Sequence, residues 1–122
     1  MASPGTLNGL QIRCLIVDDN RAFLDTARVL LEREGITVVG IATTSTDALE
    51  LEKELRPDVV LVDIRLGNEN GFDLAKLLSS RVILISTQAP DEYAEEIATS
   101  PAVGFIAKAR LSAAAILALS GA

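Results

Sequence analysis

The run Val59-Val60-Leu61-Val62-Asp63 places one carboxylate directly after four consecutive apolar residues. Apolar residues that follow one another without alternation are typical of a strand that is buried on both faces of a parallel sheet. We therefore predict that residues 58–62 form a central strand and that Asp63 lies at its carboxyl end. The remainder of the chain is interpreted outward from this strand.

Similar apolar runs lie on both sides of this strand in the chain, and helical patterns separate them. The predicted strands are residues 12–17, 37–42, 58–62, 81–86 and 103–107. The first predicted helix has its cap at residue 20 and ends at 35, and the second has its cap at 45 or 46 and ends at 55. The other predicted helices are residues 72–78, 91–98 and 113–119. Residues 67–71 are predicted to form a polar loop. This alternation predicts an α/β fold, a doubly wound five-stranded parallel sheet with helices on both faces.

Composition limits the function classes that remain. A formal charge of −6 argues against direct binding of nucleic acid, which requires clustered Lys and Arg. No apolar run approaches the roughly 18 residues of a membrane-spanning helix, so no membrane partner is expected. The chain contains no histidine, so it has no Ser-His pair and no phosphohistidine of its own.

The predicted domain organisation is a flexible N-terminal leader over residues 1–10 and a single domain over residues 11–122. The start of the chain is polar and small, which is not typical of a secretory signal. The one cysteine, Cys14, falls inside a predicted strand and is expected to be a buried thiol in a reducing compartment. We therefore expect a cytoplasmic protein.

Polar residues follow four of the five predicted strands, namely Asp18, Asp19, Asp63, Ser86 and Lys108. Ligands of doubly wound sheets bind outside the carboxyl ends of the strands, so these side chains are expected to converge at one edge. Three neighbouring carboxylates repel one another unless a cation or proton intervenes. Mg²⁺ is the hard cation that such oxygen ligands favour in combination with phosphate oxygens.

These residues also carry a resemblance to a known family. The segments Leu15-Ile16-Val17-Asp18-Asp19, Val62-Asp63 with Gly71 eight positions later, Ile85-Ser86 and Phe105-Ile106-Ala107-Lys108 together resemble the receiver domain of two-component response regulators. The resemblance extends from about residue 13 to residue 119. It implies a flavodoxin-like fold with strand order 2-1-3-4-5.

The resemblance implies a role for each residue at this edge. Asp63 would be the phosphoacceptor. Asp19, with help from Asp18, would bind Mg²⁺ together with Asp63 and the backbone carbonyl of Arg65.

Two further residues would contact the phosphoryl group and transmit its presence. Lys108 would contact it directly, and Ser86 would form a hydrogen bond to it. Ser86 and Phe105 would act as the switch. Arg65 and Gln88 flank the site and could tune the lifetime of the phosphoryl group.

The expected partner is a histidine kinase or a phosphotransfer protein, and a homodimer could form through the fourth helix, fifth strand and fifth helix. The protein would be a signalling switch and not an enzyme. A haloacid-dehalogenase-type phosphohydrolase would need an acid two residues after the nucleophile, where this chain has Arg65. A degenerate receiver that binds its partner without phosphate remains an alternative.

Some positions depart from the family pattern. Ala109 follows Lys108 where many relatives have proline, so no cis peptide is expected there, a feature shared with regulators that carry LuxR-type DNA-binding domains. Gly67 stands where proline is usual, and the interval between Asp63 and Ser86 is short, which predicts a shortened third helix. Two alternatives stay open for the chain. It could be a separate receiver, or it could be the N-terminal part of a DNA-binding transcription regulator.

Overall fold

The protein is described by a computed structural model that covers residues 6–7, 10–88 and 90–120. Its centre is one parallel sheet of five strands. These are β1 Arg13–Val17, β2 Thr37–Ala42, β3 Val59–Asp63, β4 Arg81–Ser86 and β5 Gly104–Ala107. Their spatial order is 2-1-3-4-5, which confirms the predicted fold class.

Five α-helices connect the strands or follow them. These are α1 Arg21–Arg33, α2 Ser45–Leu55, α3 Gly71–Leu77, α4 Ala94–Thr99 and α5 Ala113–Leu119. The apolar residues form two clusters. One contains buried residues of α1 and α5, and the other contains buried residues of α2 and α3. Helices therefore cover both faces of the sheet, and one apolar cluster lies between the sheet and the helices on each face.

The central strand β3 shows why an unbroken apolar run was required. It pairs with β1 on one side and with β4 on the other. Leu61 belongs to one cluster, whereas Val60 and Val62 belong to the other. All of its apolar residues, from 59 to 62, are fully buried. A strand with two covered faces cannot alternate apolar and polar residues.

Side-chain caps begin four of the helices. Asn20 caps α1 as predicted, Asn70 caps α3 and Ser112 caps α5. The predicted cap of the second helix at 45 or 46 is wrong, because the hydroxyl of Thr44 accepts the hydrogen bond from the backbone N–H of Asp47. Thr44 has extended backbone angles, which an N-cap requires.

The predicted loop after the central strand is instead a short β-hairpin. Arg65–Leu66 pairs antiparallel with Glu69–Asn70. Gly67 begins the two-residue turn with a φ of 60°, a conformation that glycine adopts without steric cost. The Glu69 carboxylate accepts a hydrogen bond from the backbone N–H of Ser45 at 3.0 Å. The hairpin is thereby attached to the start of α2.

Other boundaries shift by one or two residues. The central strand includes Asp63, and β5 begins at Gly104. The third helix is short as predicted, with seven residues. The predicted fourth helix is a 3₁₀ turn, Pro90–Tyr93, followed by α4. Since α4 has no buried residue, apolar burial does not hold this segment in one continuous α-helix.

Near the start of the chain, Thr6–Leu7 pairs antiparallel with Leu10–Gln11. Residues 1–5 and 8–9 lie outside the described residues, so the flexible leader stays a prediction. The described part of the chain contains no cis peptide bond. It also contains no helix with the length and apolar character that crossing a membrane requires.

Candidate phosphoacceptor site

Three carboxylates lie together at the carboxyl edge of the sheet. Each of Asp18, Asp19 and Asp63 offers one oxygen, and these oxygens all lie within 4.8 Å of one another. The sheet register brings them together, because Val17 of β1 is level with Val62 of β3. The side chains of Asp18 and Asp63 are buried, whereas Asp19 is exposed. The predicted convergence of the acids is present in the structure.

Lys108 reaches this cluster from the residue after β5. Its Nζ lies 2.6 Å from Oδ2 of Asp18 and 3.4 Å from Oδ2 of Asp63. The same Nζ lies 4.5 Å from the centroid of the Phe23 ring. Only 11% of the lysine side chain is exposed, so these attractions act in a partly desolvated environment. One ammonium group thus faces two carboxylates and one aromatic face.

The surroundings of Asp63 raise its pKa above that of a free aspartate. Burial makes the largest contribution to this rise and the charge of Asp18 the next, and the resulting pKa of Asp63 is about 6. The charge of Lys108 and a hydrogen bond from the backbone N–H of Arg65 act in the opposite direction. The net rise means that burial and the Asp18 charge outweigh the opposing effects of Lys108 and the Arg65 N–H.

The donor set fits a hard divalent cation. It consists of carboxylate oxygens, which Mg²⁺ and Ca²⁺ prefer. Oδ2 of Asp18 is buried and, among the described residues, accepts no hydrogen bond of acceptable geometry, although the Lys108 ammonium is near. A buried carboxylate oxygen without a hydrogen bond is costly, and coordination of a cation would offset that cost. The residues present therefore suit a metal site.

Ser86 ends β4 beside the acids. Its neighbour Ile85 is level with Asp63 in the sheet. The side chain of Ser86 is buried, and its Oγ accepts a hydrogen bond from the backbone N–H of Gln88 at 3.0 Å. The Gln88 side chain is exposed. The structure places Ser86 at the predicted edge, while the roles of Ser86 and Gln88 stay predictions.

Arg65 is attached to the site through its main chain. Its backbone N–H donates to Oδ1 of Asp63 at 3.3 Å. Its side chain points to another element, where Nε donates to the Tyr93 hydroxyl at 3.1 Å. The assignment of its carbonyl as a metal ligand stays a prediction.

Phe105 lies in the middle of β5 and is half-buried. It packs against the apolar cluster on the α2 and α3 side of the sheet, as Ile97 and Tyr93 also do. The packing is compatible with a switch role and equally with ordinary core packing, so the role stays a prediction.

Two contributors to this site were missed by sequence reasoning. Phe23 lies within the first predicted helix without any predicted role at the site, yet its ring lies under the Lys108 ammonium. Gly71 allows α3 to begin against the end of β3, because a Cβ there would clash with the carbonyl oxygen of Asp63. The eight-residue spacing from Asp63 to Gly71 was the signal that could have indicated this close approach.

Comparison with known proteins agrees with this geometry. The family model for the response regulator receiver domain matches residues 14–118. The chain therefore belongs to the receiver domain family of two-component response regulators, which confirms the resemblance and the main functional prediction.

Relatives and solved structures extend this result. The virulence-factor transcription regulator BvgA of Bordetella pertussis is 32% identical over 101 residues, which are 79% of this chain and 48% of BvgA. The signal receiver domain of NarL from Mycobacterium tuberculosis matches with a TM-score of 0.75 and 30% identity, over 90% of this chain and 96% of that one. The chain thus spans about half the length of the transcription regulators it matches first.

A third similar structure is a response regulator from Burkholderia pseudomallei that contains a phosphorylated aspartic acid, a calcium ion and citrate. It matches with a TM-score of 0.73 and 28% identity, over 89% of this chain and 66% of that one.

Proposed function

We propose that this receiver accepts a phosphoryl group on Asp63 and that this modification changes its interaction surface. The observation that carries the proposal is the meeting of Asp18, Asp19, Asp63 and Lys108 at one edge of the sheet. The phosphorylated aspartic acid of the Burkholderia pseudomallei relative supports it.

In the proposed reaction, an oxygen of the Asp63 carboxylate attacks the phosphorus atom of a donor. With phosphohistidine as the donor, the new O–P bond forms as the N–P bond breaks, and the imidazole leaves with the electron pair. No general base is needed, since the pKa of Asp63, about 6, leaves the carboxylate largely ionised at neutral pH. The Lys108 ammonium lies where it can balance charge on the transferred group.

The same acids would hold a divalent cation, and Mg²⁺ is the ion that we propose. Its ligands would be Asp18, Asp19, Asp63 and the backbone carbonyl of Arg65. When bound, the ion supplies positive charge that neutralises phosphoryl oxygens. Hydrogen bonds from Lys108 and from the backbone N–H of Arg65 orient the Asp63 carboxylate.

The proposed readout runs through Ser86 and Phe105. Ser86 would form a hydrogen bond to the phosphoryl group, and Phe105 would repack beneath the surface of α4, β5 and α5. Such a local charge change read out by packing is a recognised kind of two-state switch. The protein would be cytoplasmic, and its proposed partners are a histidine kinase or phosphotransfer protein and a second copy of this chain on the α4-β5-α5 surface. Direct nucleic-acid binding by this domain is not proposed. Gln88 and Arg65 would tune the lifetime of the phosphoryl group.

A second candidate concerns the protein from which the domain comes. The chain spans 48% of BvgA, which is named as a transcription regulator. The receiver could therefore regulate a DNA-binding part of a longer chain. The size of the full-length product, together with DNA binding before and after phosphorylation, tests this possibility.

The direct test of the proposed function is incubation with Mg²⁺ and acetyl phosphate followed by intact-mass analysis. We expect a single phosphoryl adduct, its loss when a chelator removes Mg²⁺, and no adduct on Asp63→Asn. An Asp25→Asn variant, which changes an exposed acid on α1, is the matched control and should be labelled normally. Absence of the adduct from the unmodified protein would favour a degenerate receiver.

A further inference from the structure

The side chain of Arg65 links the candidate site to the segment that precedes α4. Its Nε donates to the hydroxyl of Tyr93 at 3.1 Å. Tyr93 ends the 3₁₀ turn, and its ring packs on Phe72 of α3 with centroids 6.0 Å apart and an angle of 55° between the rings. The main chain of the same arginine is fixed at Asp63. One residue therefore contacts both the phosphoacceptor and the α4 segment.

Arg65 differs from Lys108 in the charge of its partner. Lys108 lies within ion-pair distance of two carboxylates, but among the described residues no acid lies that close to the Arg65 guanidinium. The partner of Arg65 is a neutral phenol. The guanidinium is an ionised donor in either case, but an anionic acceptor adds a Coulomb attraction that the neutral phenol does not supply. A nearby anion would therefore compete effectively with Tyr93.

We propose that Tyr93 is a positioning residue that holds the Arg65 side chain away from the site while Asp63 is unphosphorylated. When Asp63 carries a phosphoryl group, the Arg65 side chain leaves Tyr93 and binds that group. This rests on the proposed function, because the competing anion is the group on Asp63. A phosphoryl group adds about 1.5 to 2 negative charges and several acceptor oxygens. The side chain that would reach it begins only two residues along the chain, beside Oδ1 of Asp63.

Release of Tyr93 would alter the α4 surface. Tyr93 packs against the same apolar cluster as Ile97 of α4 and Phe105 of β5. A change at its hydroxyl thus reaches the interaction surface by a route separate from Ser86. Because Tyr93 and the phosphoryl group compete for Arg65, removal of the hydroxyl should strengthen binding of any phosphoryl mimic.

The test uses beryllofluoride with Mg²⁺, a phosphoryl mimic that binds a carboxylate. Affinity is measured by calorimetry for the full chain, Tyr93→Phe, Arg65→Met and the double variant. We expect Tyr93→Phe to bind about three- to tenfold more tightly, which corresponds to the net contribution of one exposed hydrogen bond. In the Arg65→Met background the same change should have no effect, as required if the two residues are coupled.

The chain contains one tyrosine and no tryptophan, so its intrinsic fluorescence reports on Tyr93 alone. Beryllofluoride should shift this fluorescence in the unmodified protein and leave it unchanged in Arg65→Met. Arg28→Met, which changes an exposed arginine on α1, is the matched control and should retain the shift.

Two results would overturn the inference. One is normal beryllofluoride binding in which Tyr93→Phe has no effect, or has the same effect with and without Arg65; the proposed function would then stand. The other is failure of the unmodified protein to bind the mimic at all, which would remove the proposed function as well.

Discussion

The ammonium of Lys108 lies closer to Asp18 than to Asp63, at 2.6 Å from Oδ2 of Asp18 and 3.4 Å from Oδ2 of Asp63. Asp18 is fully buried, so this contact balances the most desolvated acid of the cluster. The more distant Asp63 keeps a raised pKa of about 6. Lys108 thus forms a structural ion pair with Asp18. It also lies near Asp63, where it would contact a phosphoryl group.

Removal of this ammonium should destabilise the fold. Lys108→Met keeps much of the apolar stem but leaves two buried carboxylates without their cation, which should cost about 3 kcal/mol. Urea unfolding at neutral pH measures the change. Lys76→Met, at an exposed pair with Asp73, is the control and should change stability by less than about 0.5 kcal/mol. Equal effects of the two variants would contradict the electrostatic account.

Replacement of Asp63 by a neutral residue, by contrast, should stabilise the fold. Its pKa is raised from 3.8 to about 6, so the folded state binds the proton more tightly than the unfolded state does. Protonation of Asp63 therefore stabilises the folded state. This contribution to stability is fully present below pH 3.8 and is lost as pH rises through 6.

Asp63→Asn retains a neutral side chain at every pH. It should therefore stabilise the protein by about 1–2 kcal/mol at pH 7 without metal, a value reduced for solvent screening. The gain should shrink toward zero as pH falls to about 4. Urea unfolding at several pH values in the presence of a chelator checks this, with Asp25→Asn as a control that should show no such trend. A gain that grows toward low pH would contradict the sign of the argument.

Mg²⁺ should stabilise the protein through the three acids. A ligand that binds only the folded state adds about 2.7 kcal/mol at a hundred times its Kd. Thermal unfolding with and without Mg²⁺ should show a rise in Tm that Asp19→Asn abolishes. Asp19 is exposed, so this variant should fold normally. An undiminished Mg²⁺ response in Asp19→Asn would place the ion elsewhere.

Cys14 should be unreactive in the folded protein. The thiol is fully buried, and burial raises its pKa to about 12, so almost no thiolate is present at neutral pH. A thiol reagent at neutral pH should label the protein only after urea unfolding. Rapid labelling of the native state would show that β1 is not buried as described.

The fold was predictable because its strands are unbroken apolar runs. Two covered faces leave no alternative to a parallel sheet with helices on both sides, as residues 59–62 show. The acids and Lys108 were predictable for the same reason, since parallel strands bring their carboxyl ends to one edge. Local features were less accessible. The hairpin after the site, for example, is attached to α2 by a hydrogen bond from the backbone N–H of Ser45 to Glu69, and these residues lie 24 positions apart.

The missed aromatic contacts have a similar cause. Phe23 fits an apolar helical pattern whether or not its ring meets a cation, and only the tertiary structure brings Lys108 above it. Tyr93 lies in a segment rich in acids, where no apolar periodicity points to a role. Its two contacts, with Arg65 and Phe72, come from different elements of the chain.

The most direct test of the account is the location of the phosphoryl group. The protein is treated with Mg²⁺ and acetyl phosphate, the acyl phosphate is reduced with borohydride, and the product is digested and mapped by mass spectrometry. The account predicts a single aspartate-derived homoserine, at position 63, and none after treatment without Mg²⁺. Homoserine at another acid, or none in the Mg²⁺ sample, would contradict it.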